Sequence, residues 1–230
     1  AYSLLTDADR QLAHRLAGEW LEQMEERSAL VLADHFSRAG LGARAAMWFR
    51  RAAVQAIEGN DFAFALATAQ RGVDAGASGQ LLGSLRVVQA EAHRWRGDPP
   101  QTVASCQAAL ADLERQSPQW FTATSELGIA SARVGAIDGL RHCGEMLLEA
   151  GRAGEQSPPF LIAASRLAKE CFVNGLRALG EELLAIIDPL ADALSAQTPA
   201  VALQQRIAHC LRAESREASL ISQALDCFAL

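Results

Sequence analysis

Apolar positions recur along this chain at helical spacing, three and four residues apart, with no sustained alternation of the strand kind. Between these segments, turn signals return at a nearly fixed interval. Gly59 (in EGND), Gly97 (RGDP), Gly135 (VGAI), Gly175 (NGLR) and then Ser215 (ESRE) follow one another at steps of roughly 38 to 40 positions. A glycine reaches positive φ at no steric cost, so each can form a tight turn between two helices.

A second marker runs out of phase with the first. Ser78, Ser117-Pro118, Ser157-Pro158 and Thr198-Pro199 follow one another at steps of roughly 39 to 41 positions. Serine or threonine caps a helix start, and proline fits its first position, which needs no donor. The markers predict first helices at 43–58, 81–96, 118–134, 158–174 and 199–213. Their partners fall at 61–74, 100–114, 136–150, 176–194 and 216–229. A further pair precedes them at 7–25 and 28–38, and Pro189 should kink or end the tenth of these helices by removing a bond and clashing with the turn before it.

One pair cannot bury its apolar face alone, so neighbouring pairs must stack. Ala65, Ala69, Gly72, Cys106 and Ala109 are the small residues that let helices approach. Phe36, Phe49, Val88, Leu127, Leu167 and Leu183 fill the space between. The fold class is all-α: a right-handed α-solenoid of antiparallel pairs, five or six in number, expected as one domain over 1–230. Its period is about 37–41 residues. The chain opens without methionine in a helix lead-in, which suggests a fragment of a larger multidomain protein. The C-terminal LDCFAL, with Leu225, Phe228 and Leu230, is apolar where a cap should be polar, so self-association through the terminal repeats is expected.

Composition agrees and adds exclusions. Half of the residues are hydrophobic but only 6% aromatic, with alanine and leucine dominant, which favours helix over sheet. The net charge of −6 argues against nucleic acid as partner. No apolar run is long enough to span a membrane, and the N-terminus lacks the layout of a signal peptide. The odd set of five cysteines has no C-x-x-C pair and points to thiols in a reducing cytoplasm. Phosphate-loop, kinase and H-E-x-x-H motifs are absent from the sequence. His142-Cys143 and His209-Cys210 are adjacent pairs whose side chains point about 100° apart on a helix, a geometry that does not converge on a metal. No catalytic residue, cofactor or metal site is therefore expected, and the chain is read as no enzyme.

The order Leu32-Ala33, Phe36, Gly40, Ala45, Phe49, Ala52 resembles the small-and-large pattern of tetratricopeptide repeats. It returns more weakly as Gln89-Ala90, His93, Gly97, Cys106, Ala109. The period is longer than that family's standard repeat, so the helices are longer. The stretch from LADHFSRAG to FALATAQRG also resembles the repeat arms of large bacterial signalling ATPases, some fused to serine/threonine kinases as in myxobacteria. That resemblance implies a protein-binding scaffold or regulatory arm in signal transduction. It also implies a concave groove lined by the first helices. The family's pattern carries over to Arg50 and Val54; Glu91, Arg94 and Trp95; Ser125, Ile129 and Arg133; Ser165, Lys169 and Phe172; and Gln205, His209 and Arg212. One cation per pair (Arg50, Arg94, Arg133, Lys169, Arg212) would attract an acidic peptide or a terminal carboxylate, with Trp95 and Phe172 as apolar anchors. The alternatives are that these cations pair with carboxylates of their own chain, or that the groove cradles a small-molecule effector.

Overall fold

The computed structural model describes residues 5–194 and 198–228, with side chains over 5–190 and 198–215. Among them there are eleven helices and no strand: α1 (Asp7–Gln23), α2 (Ala29–Arg38), α3 (Gly42–Glu58), α4 (Phe62–Asp74), α5 (Gly79–Trp95), α6 (Pro99–Asp112), α7 (Pro118–Arg133), α8 (Ile137–Arg152), α9 (Pro158–Val173), α10 (Arg177–Leu194) and α11 (Pro199–Phe228). No helix of the described residues is long and apolar enough to cross a membrane. The backbone clusters into two compact units, residues 1–114 and 115–230.

The turns form where the glycines place them. Gly97, Gly135 and Gly175 take φ of 70°, 79° and 77°. At each, the next amide reaches back to the carbonyl five positions earlier: Asp98 to His93 at 3.0 Å, Ala136 to Ser131 at 2.9 Å, Leu176 to Cys171 at 2.8 Å. These bonds close the preceding helix in a Schellman turn. Gly59 departs from the expectation. Its φ is −81°, and Asn60 takes the left-handed position instead, at φ 60°. Asparagine tolerates that region because its short side chain bonds locally.

Starts are capped less uniformly than the serine series implied. The Ser117 hydroxyl accepts from the Trp120 amide at 3.2 Å. Ser78 and Ser157 make no side-chain cap. At α9 the Glu155 carboxylate accepts from the Ser157 amide at 2.8 Å. Asp61 and Asp98 cap α4 and α6.

One expectation near the C-terminus fails. Ser215 makes no turn, and α11 runs unbroken from Pro199 to Phe228. ESRE contains no residue that favours positive φ, and its glutamates and arginine are good helix formers, so helix continues. Pro189 does not end α10, which reaches Leu194. The proline removes the donor to the Ala185 carbonyl, but little more than one turn of the helix is left to run beyond it. The apolar edge expected at Leu225, Phe228 and Leu230 lies outside the described side chains.

Packing follows the large-into-small scheme within each unit. In the first, Phe36 and Phe49 sit in one buried cluster with Leu32, Ala33 and Ala45. A Cβ on Gly72 would lie 2.8 Å from Leu85, and one on Gly83 2.7 Å from Leu113. In the second, α9 packs against α7, α8, α10 and α11. A Cβ on Gly128 would lie 2.8 Å from Leu167, and one on Gly180 2.9 Å from the Phe172 ring. Phe121 and Phe160 meet edge to face at 5.6 Å. Leu127, Leu167 and Leu183 are buried as expected.

Candidate functional site

α7 and α9 open the volume that a ligand could enter in the second unit. Both begin with proline at the first helical turn, and residues of both line a groove of about 290 Å³. Pro118, Thr122 and Ser125 of α7 form one wall; Pro159, Ile162 and Arg166 of α9 form the other. On α7 the Thr122 hydroxyl donates to the Pro118 carbonyl at 3.1 Å and that of Ser125 to the Thr122 carbonyl at 3.0 Å.

Arg166 organises the α9 side of the groove. Its guanidinium donates to the Glu126 carboxylate at 2.6 Å and to the Ser125 hydroxyl at 3.4 Å. Glu126 is nearly buried, with 9% of its side chain exposed, while Arg166 keeps 23%. A carboxylate this deep needs its cation, because an unpaired buried charge is strongly destabilising. The pair fixes Arg166 at the rim of the groove with donor capacity to spare, since a guanidinium carries five N–H groups.

The expected groove residues divide between the two units. Arg50, Arg94 and Trp95 belong to the first; Arg133, Lys169, Phe172 and Arg212 to the second. Three of the cations have a carboxylate beside them. Arg94 lies 3.5 Å from Glu91, Lys169 3.9 Å from Glu170 and Arg212 2.7 Å from Glu181. Among the described residues neither Arg50 nor Arg133 has such a partner. Trp95 is 54% exposed, stacked on Phe62 at 6.0 Å with the Arg94 guanidinium 4.4 Å from its centroid. Gln205 and His209 both meet Asp188, at 2.9 Å each.

On α9 the expectation holds for Lys169, which is half-buried, but not for Ser165 and Phe172. Phe172 is a core residue, 3% exposed, with its ring against Gly180, and Ser165 is fully buried. The open face of α9 carries Ile162, Arg166 and Lys169. Arg166 is the residue that the sequence reasoning missed. Its signal was its three-residue spacing from Lys169, with Ile162 four before it. On α7 the expectation is likewise mixed: Ser125 borders the groove though only 1% exposed, Ile129 is buried, and Arg133 is exposed two turns beyond Ser125.

The remaining candidate chemistry is structural. His142 is exposed and Cys143 buried, so the two side chains of α8 face different surroundings. Burial pushes the Cys143 and Cys171 thiols up to about 12, so they act as small hydrophobes, not as thiolates. Cys106 is likewise buried, and Cys210 is exposed. No group of three or more histidine, cysteine, aspartate or glutamate side chains that could hold a metal ion occurs among the described residues. Comparison with family models, with curated proteins and with solved structures finds no match for this chain.

Proposed function

We propose that this chain is a protein-interaction module, a scaffolding or regulatory arm of tetratricopeptide-like helix pairs acting in the cytoplasm of a bacterial signalling system. It takes a partner's peptide segment along the α7–α9 face. The supporting observation is Arg166, held at the groove rim by Glu126 and Ser125 and flanked by apolar walls from Pro118, Pro159 and Ile162. Arg133 and Lys169 extend the cationic side of the face by one to two turns. An acidic segment or a chain-terminal carboxylate suits these groups, because guanidinium–carboxylate contacts are strong and geometrically specific. The function is binding, with no reaction carried by the groove. The effector-sensing alternative has less behind it, because Trp95, its stacking floor, is already covered on one face by Phe62.

Selection of a displayed random-peptide library against the purified chain tests this reading. Peptides with acidic residues or a free acidic C-terminus should be enriched, and their binding should weaken as salt is raised. Thr122→Trp fills the groove from an exposed position while leaving both Glu126 and Arg166 in place, and it should abolish the enrichment. Peptides that bind Thr122→Trp equally well, or no enrichment at all, would sink the proposal.

A further inference from the structure

α1 has two apolar faces, and only one of them is covered. The inner face carries His14, Ala17, Gly18 and Leu21. Gly18 is buried so closely that a Cβ would lie 2.9 Å from the Phe36 ring, and Leu21 packs on the Phe36 cluster. The outer face carries Leu12, Leu16, Trp20 and Met24, exposed by 47%, 53%, 58% and 58%. These four account for a third of the twelve large hydrophobic side chains exposed among the described residues, and they fall on α1 and its C-cap, Met24, at four-residue intervals. Contiguous exposed apolar surface of this kind marks an interaction site.

The polar residues along the stripe say what covers it. Taken about Leu16, the face is self-complementary under reversal of direction. Leu12 and Trp20 lie four positions to either side. Asp9, an acceptor, and Gln23, which can donate, lie seven to either side. On one rim stand Arg15 and Glu19, opposite charges, 50% and 37% exposed, the Glu19 carboxylate also lying 3.4 Å from the Arg44 guanidinium of α3. A second α1 laid antiparallel about Leu16 brings the Arg15 of each helix within two positions, about 3 Å along the axis, of the Glu19 of the other, an offset that two long side chains can span. A parallel copy would set like against like. Two-fold symmetry requires this kind of self-matching surface, and antiparallel helices also align their dipoles favourably.

We propose that two copies of this chain associate through α1, packed antiparallel about Leu16, with the Leu12 of each against the Trp20 of the other and the Arg15 of each against the Glu19 of the other. One helix per side is a small contact beside the roughly 1,200–2,000 Å² of a standard interface, so the dimer is weak, with a Kd of about 10–100 μM.

Sedimentation velocity on the full chain, from about 5 μM to about 0.5 mM, tests this across that range. The wild-type chain should pass from monomer to dimer. Leu16→Asp, at a half-exposed position, should stay monomeric with unchanged helicity. Arg15→Glu and Glu19→Arg each place two pairs of like charges across the two-fold, and each alone should weaken dimerisation about tenfold. An equal mixture of the two variants restores opposite charges at both contacts and should dimerise better than either alone. A wild-type monomer at the highest concentration overturns the proposal and leaves the stripe to another occupant. A dimer indifferent to Leu16→Asp places the contact elsewhere. A mixture no better than its components refutes the antiparallel register.

Discussion

α1 and α9 are helices of similar length in different positions. α9 is buried at nine of its sixteen residues and packs against four other helices. α1 is buried at one residue of seventeen, Gly18, although it carries leucines and a tryptophan. Apolar content therefore does not decide burial here. What decides is how many neighbours the stack supplies, so identical substitutions should have unequal effects in the two helices.

The sharpest contrast pairs Phe160→Ala with Leu16→Ala. Phe160 is 1% exposed and meets Phe121 edge to face, so its truncation should cost about 3–5 kcal/mol in a urea titration. Leu16→Ala in dilute solution should change stability by less than about 0.5 kcal/mol. Similar costs for the two would break the comparison.

A smaller effect is expected where α9 meets α7. Gly128→Ala adds a methyl 2.8 Å from Leu167 and 3.1 Å from Cys143. Alanine's better helix propensity contributes at most about 1 kcal/mol. The overpacking costs about 1–3 kcal/mol, so the net should be a lower urea midpoint. A raised midpoint would mean that this interface is looser than its distances.

Acid should loosen α1 and leave α9 unaffected. The His14 and His35 Nδ1 atoms lie 3.2 Å apart across α1 and α2. Burial holds His14 below its ordinary 6.5, and repulsion from His35 and Arg38 lowers it further. The folded state thus favours neutral His14. Its contribution is complete above pH 6.5 and is lost as pH falls through 6.5 toward the lower folded value. Amide exchange in α1, relative to α9, should accelerate over that window, and His14→Gln should flatten the change. Equal acceleration in both helices would assign the effect to something global.

Much of the architecture was legible because it is written in local chemistry. Pro118 and Pro158 begin their helices, and Gly97, Gly135 and Gly175 occupy backbone that few other residues accept. Ser215 misled because spacing was extended to a residue with no conformational reason to turn. The site was less legible. A one-residue error of phase exchanges half-buried Arg166 for buried Ser165, and nothing local to α9 reports which face the other helices cover. The Glu91–Arg94 pair sits three apart on one helix and was readable. Arg212 finds Glu181 across 31 residues, and such pairing exists only after folding. The outer stripe of α1 was also present in the sequence, but of its two apolar faces only the packing distinguishes the covered one.

The substantial helix contacts among the described residues join elements one or two places apart in the chain. During synthesis each helix therefore meets its partners soon after it leaves the ribosome, without waiting for a distant segment. Short-range topology of this kind speeds folding, because little loop-closure entropy is spent before contacts form. α1, packed on α2 and reached by the Arg44 and Trp48 side chains of α3, has its contacts complete once the third helix has been made.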